Sequence, residues 1–163
     1  MKFFQIILIL NFNLIISANI SQTINNFFNQ ELSFEQTSFN FSTNSFDKSF
    51  GTFIRNADNS IEIEVISPFN EKYFINTDGI EIYDLDFDQK KFIKSEDITN
   101  GLLDILNNGF SEEVLNIKFN DEKNFSFVKN DKQYHFNFLT ENNLQIKYKD
   151  NMNVDTLINF IKQ

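Results

Sequence analysis

The chain has 163 residues, a formal charge of −9 and no cysteine, which suits one domain held together without disulfides or thiolate metal sites. An acidic excess of that size repels a phosphate backbone and argues against nucleic-acid binding. A single histidine (His135) and a single arginine (Arg55) leave no nucleophile–base pair, no metal set and no need of a cofactor, so the composition points away from an enzyme.

Met1-Lys2 is followed by a largely apolar run over 3–16 and by the small residues Ser17-Ala18. That is the order of a secretory signal peptide, with cleavage expected after Ala18. A membrane anchor needs about 20 apolar residues, whereas Gln5, Asn11 and Asn13 interrupt this run. The expectation is an exported, soluble, monomeric domain over 19–163. It has no cysteine to carry a lipid at its new N-terminus.

Ile20, Ile24, Phe27, Phe28 and Leu32 make a helical stripe over 19–32. The period then changes to two. Strands are predicted at 34–42, 49–55, 60–67, 71–76, 80–85 and 90–94, with turn signals at 56–59, 67–70 and 77–79. The Asp78-Gly79 connection implies antiparallel neighbours. Ser95-Glu96-Asp97 then opens a second helix, which carries Ile98, Leu102, Leu103, Ile105 and Leu106 and stops at Gly109. Alternation resumes at 113–119, 124–129, 133–139, 144–149 and 154–161, as an antiparallel meander.

Each strand is apolar on one side and polar on the other: Ile61, Ile63 and Val65 alternate with Glu62 and Glu64. This describes a mainly-β chain with one strongly curved antiparallel sheet, covered on its concave face by two or three short helices. The 22 phenylalanines, an excess that AT-rich codons would produce, give that inner face an unusual aromatic load. Periodicity leaves two outcomes open, a core filled by the helices or a greasy hollow beneath them, and favours the filled core.

Two stretches bear on that choice. Ser-Phe-Glu-Gln at 33–36 precedes Gly51-Thr52-Phe53-Ile54-Arg55. Residues 61–89 then hold a strand ending at Pro68, the Asp78-Gly79 hairpin, Tyr83-Asp84 and Gln89. In order and spacing this resembles the LolA family of periplasmic lipoprotein carriers, although Arg55 is followed by Asn56 where the family has proline. The resemblance implies an unclosed β-barrel under a helical lid, in the periplasm of a Gram-negative bacterium. Its cargo would be acylated lipoproteins, received from an inner-membrane ABC-type (LolCDE-like) release complex and passed to an outer-membrane, LolB-like receptor.

On that resemblance the acyl-chain cavity is expected to be lined by Ile61, Ile63, Val65, Ile80, Ile82, Phe125, Phe127, Tyr134, Phe136, Phe138 and Ile146. The lid would carry Ile24, Phe27, Phe28, Leu102, Leu103 and Leu106. Arg55 becomes a latch that donates to helix carbonyls, with Gln36 in support; the alternative is a surface arginine in a weak ion pair. A rival function for the same fold is a sensor or regulator that binds a lipid or a protein segment. His135, on the face opposite Phe136, reads as a solvent-facing strand residue. The Asp84/Asp86/Asp88 alternation lacks the glycine and distal glutamate of a calcium loop and reads as a solvated hairpin edge.

Overall fold

Residues 20–28 are helical (α1), with Ile20, Ile24, Phe27 and Phe28 buried along one face and Gln22, Thr23 and Asn26 exposed on the other. The computed structural model describes residues 20–98, 101–110, 117–121, 123–150 and 152–163, so the expected signal segment lies outside the described residues. The helix stops short of the stripe read from the sequence because Leu32 belongs to the first strand. There it pairs with Lys162, while the Gln163 amide donates to the Glu31 carbonyl. An apolar residue four positions after Phe28 fits either period, and pairing with the far end of the chain decides.

Eleven strands follow: β1 (Leu32–Asn40), β2 (Ser45–Arg55), β3 (Ile61–Ser67), β4 (Glu71–Asn76), β5 (Gly79–Asp84), β6 (Gln89–Lys94), β7 (Lys118–Phe119), β8 (Asn124–Lys129), β9 (Lys132–Thr140), β10 (Asn143–Lys149) and β11 (Asp155–Lys162). They form one antiparallel, unclosed sheet in the order β6-β5-β4-β3-β2-β1-β11-β10-β9-β8-β7. Residues 113–116 of the strand expected at 113–119 lie outside the described residues.

The topology is not a simple meander. The chain enters at the centre, runs out to the β6 edge, passes to the β7 edge and returns to the centre, where β11 pairs with β1. Because neighbours are antiparallel, the turns after β1, β3, β5, β8 and β10 share one end of the sheet, the upper end. Those after β2, β4, β7 and β9 share the lower end.

Turn chemistry sets the hairpins. Asn40 Oδ1 accepts from the amides of Ser42 and Thr43, and Asn76 Oδ1 from those of Asp78 and Gly79, so these asparagines mimic a backbone turn. Asp84 Oδ1 accepts from the amides of Asp86 and Phe87, while Asp86 takes the Asn70 amide and side chain at 3.0 and 2.9 Å. Two of the three alternating carboxylates are therefore spent on turn geometry.

Between β6 and β7 the expected long helix is two pieces. Ser95–Asp97 is a single 3-10 turn, and α2 is Gly101–Asn108. Glu96 and Asp97 thus sit in the first turn of the small piece rather than of α2. The first residue of α2 has to be small: a Cβ at Gly101 would come within 2.6 Å of the Tyr134 hydroxyl. Gly109, at a φ of 78°, ends α2 in the left-handed conformation that glycine favours.

Aromatic rings fill much of the concave side. Over β8–β10, Phe125 stacks on Phe136, Phe127 on Tyr134 and Tyr134 on Tyr148, and Phe110 meets Phe125, Phe127 and Phe136 edge-on. Under α1, Phe28 packs edge-on against Phe53 and Phe160, and Phe27 against Phe138. Each such pair contributes about 0.5–1.5 kcal/mol beyond its buried area.

Candidate functional site

α2 lies across the inside of the sheet and is tied to both halves. Toward β2–β6, Arg55 at the end of β2 donates through its guanidinium to the Leu106 carbonyl, and Asn107 Nδ2 donates to the Asn76 carbonyl at 3.4 Å. Toward β8–β10, Lys129 pairs with Asp104, and the Tyr134 oxygen accepts from backbone amides at Gly101 and Leu102. Beyond its C-terminus, Asn25 of α1 bonds Phe110 twice, accepting from its amide at 3.1 Å and donating to its carbonyl at 3.3 Å. Helix ends leave backbone groups without intrahelical partners, and here Arg55 and Tyr134 serve opposite ends of one short helix. Arg55 is half-buried, and that loss of water lowers its pKa from the ordinary value.

Beneath α2 remains a cavity of about 440 Å³. Its floor and walls are Phe34 (β1), Phe53 (β2), Ile63 and Val65 (β3), and Ile158 and Phe160 (β11), with Leu102, Leu103 and Leu106 of α2 above. Gly51 makes room for one wall residue: the Phe34 ring lies within 2.8 Å of where its Cβ would be. The lower end is closed by the Phe28–Phe53–Phe160 cluster.

The polar lining lies toward the upper end. Gln36 Nε2 bonds Ser38 Oγ at 3.4 Å, which bonds Thr156 Oγ1 at 3.3 Å; Ser49, Glu71 and Asp150 complete the mouth. Glu71 accepts a short bond from the Tyr73 hydroxyl. Burial first, then this bond to Glu71, raises the Tyr73 pKa above its ordinary value. The mouth therefore offers carboxylates and hydrogen-bonding groups, and the interior hydrocarbon.

Of the residues expected to line a cavity, Ile63 and Val65 do so; of the lid set, Leu102, Leu103 and Leu106 do so. The remainder need correction. Phe125, Phe127, Tyr134 and Phe136 are core, ring against ring with Phe110 packed on three of them; Phe138 is buried against Phe27 of α1, and Ile146, Ile61 and Ile80 are equally buried. Ile82 is half-buried against that core. Ile24, Phe27 and Phe28 of α1 plug the lower end and do not roof the hollow. Alternation identifies the inward face, but it cannot tell which inward positions meet a helix.

The sequence reading missed Phe34, Phe53, Ile158 and Phe160. All four sit on strands β1, β2 and β11, and it is the pairing of β1 with β11, from far apart in the chain, that brings the β1–β2 hairpin beside Ile158 and Phe160. Phe34 beside the Gly51 motif was the available signal.

A larger hollow, about 770 Å³, opens at the upper end over β8–β11. It is walled by Lys132, Lys147 and Lys149, by Asp131, Asp150 and Asp155, and by the exposed His135. Phe46, Tyr148 and Leu157 also line it, and no residue of α1 or α2 covers it. No group of three or more His, Cys, Asp or Glu among the described residues could hold a metal ion.

The fold and the hollow define a curved, unclosed β-sheet protein with two helices on its concave face and an apolar cavity under the second. No family model matches the chain, and no curated protein matches its sequence. Among the described residues no helix is long and apolar enough to cross a membrane.

Proposed function

We propose that this chain is a carrier for acyl chains, of the LolA type that its sequence resembles. It would hold the lipid tail of a lipoprotein under α2 while the protein moves between membranes of the cell envelope. The supporting observation is the apolar cavity closed below by aromatic rings, polar at its mouth and roofed by a helix that Arg55 holds from beneath. Burying a methylene is worth about 0.8 kcal/mol, so a long tail gains many kcal/mol by leaving water for such a site. The reading includes export to the periplasm, loading at an inner-membrane release complex and delivery to an outer-membrane acceptor.

Size refines the cargo. A methylene fills about the room of a water molecule, ~30 Å³, so 440 Å³ takes one chain of about fifteen carbons. Three chains require α2 to lift off its tethers. This favours, as a second reading, a protein that binds one free lipid chain and reports or relays it.

Mass spectrometry of material co-purifying from the native envelope separates the two. Triacylated protein supports the carrier, and single-chain lipid the second reading. If the purified protein also fails to bind monoacylglycerols of 12–18 carbons in solution, both are wrong.

A further inference from the structure

Twelve large apolar side chains are left in water among the described residues; Phe50, Ile66, Phe92, Val128, Leu139 and Ile161 lie along strands, and the other six cluster at one end of the sheet. Phe41 and Phe46 flank the β1–β2 turn, Phe69 is in the β3–β4 turn, Leu85 and Phe87 in the β5–β6 turn, and Met152 in the β10–β11 turn. Each is between 51% and 80% exposed. All these turns are at the upper end, where the cavity has its mouth, and Phe69 belongs to both rim and lining. The lower turns, 56–60, 77–78, 120–123 and 141–142, carry Asn, Asp, Ser, Thr, Glu, Lys and one Ala in sequence, with no large apolar residue. Two neighbouring tips are locked together by the Asn70–Asp86 bonds and by the Leu85 amide donating to the Asn70 carbonyl at 2.8 Å.

We infer that this rim is a membrane-docking surface for a zwitterionic lipid bilayer, seating the cavity mouth against the lipids. The inference rests on the acyl-chain reading in its single-chain form, in which a lipid tail passes from bilayer to cavity without a protein intermediary and the mouth has to meet the hydrocarbon. Apolar groups carried singly on projecting turns, ringed by polar backbone, suit insertion into the headgroup layer. Flat contiguous patches suit protein partners. Charge selects the lipid. The turns at 41–44, 68–70, 85–88, 130–131 and 150–154 include Asp86, Asp88, Asp131 and Asp150 and no lysine or arginine; Lys129, Lys132 and Lys149 border two of them, Lys129 paired with Asp104 and Lys149 with Asp155, and the chain's net charge is −9. An anionic membrane is therefore repelled, and so is a second copy of the same rim.

The chain has no tryptophan, which makes Phe87→Trp a single reporter at the rim and Asn142→Trp one at the lower end. With phosphatidylcholine vesicles the emission of Phe87→Trp should shift to the blue and be quenched by brominated lipid, while Asn142→Trp stays unchanged. Adding phosphatidylglycerol should weaken binding, and salt should restore it. The double variant Leu85→Ser/Phe87→Ser should lose vesicle affinity about tenfold or more yet bind monoacylglycerol in solution as the parent does.

No shift at Phe87→Trp, equal shifts at both ends, or tighter binding to anionic vesicles would overturn the docking surface. Vesicle binding by a protein that takes no monoacylglycerol would instead overturn the cavity reading and leave the rim standing.

Discussion

Arg55 on β2 donates to the carbonyl oxygen of Leu106 in the last turn of α2, joining a strand end to a helix end across 51 residues of sequence. The bond closes the lower margin of the cavity roof. It also gives the chain's sole guanidinium a structural partner that is released whenever α2 rises. A closed state held by such a bond costs a ligand the free energy needed to break it.

Replacing that residue tests the latch. Arg55→Leu should speed amide exchange over 102–106 and lower unfolding stability by about 1–2 kcal/mol. Because entry no longer breaks the bond, monoacylglycerol should bind more tightly and leave more slowly, by severalfold in stopped-flow release. Parent-like release would mean that the bond is only structural.

Gly101 and Tyr134 should behave as a coupled pair. Gly101→Ala forces a methyl against the tyrosine hydroxyl and should destabilise by about 1–3 kcal/mol, the usual cost of overpacking. In a Tyr134→Phe background the same change should cost less, so a double-mutant cycle by urea unfolding should give a non-zero coupling. Simple additivity would show that the hydroxyl is not what demands glycine.

Filling the cavity should separate binding from folding. Val65→Trp projects a large ring into a hollow already apolar, so far-UV dichroism should be preserved and the melting temperature should change little. Binding of monoacylglycerol should be abolished. Full binding by this variant would place the site elsewhere.

The acidic mouth should discriminate between headgroups. With Glu71 and Asp150 lining the entrance, a fatty acid carboxylate meets like charge, whereas a monoacylglycerol of equal length does not. Calorimetry should therefore show the neutral lipid binding more tightly. Glu71→Gln should narrow that gap by improving the fatty acid alone.

Alkali should unfold the protein through its tyrosines. Burial holds the Tyr148 hydroxyl, and burial with the Glu71 contact the Tyr73 hydroxyl, above the ordinary tyrosine pKa. Folded-state values above the unfolded value of about 10 leave this contribution intact below pH 10. It is lost as pH rises toward the folded values, by at most about 1.4 kcal/mol per pH unit for Tyr148. The effect is smaller for the more solvated Tyr73. Absorbance at 295 nm during denaturant titrations should show the tyrosines ionising together with unfolding, and Tyr148→Phe should flatten the decline.

Much of this architecture is legible along the chain. Period-two alternation located β3, β4 and β8–β11 to within a residue or two, because each strand has one wet face and one dry face. Gly109 marked the end of α2, since few other residues adopt its backbone angle cheaply. Leu32 misled because its role depends on a distant partner, Lys162, and Ser95-Glu96-Asp97 because its acidic first turn belongs to a separate 3-10 turn rather than to α2.

The sequence by itself determined the strand pattern, the inward-facing positions and the presence of an arginine at the end of β2, because these follow from local periodicity and composition. Only the tertiary structure decided that β11 pairs with β1, that α2 rather than α1 roofs the hollow, and that the aromatic ladder of β8–β10 is solid core. It alone also gathered Phe41, Phe69, Phe87 and Met152 at one rim. The physical reason is that one inner face offers more apolar positions than two short helices can cover, and where they leave a gap depends on contacts between residues far apart in the chain.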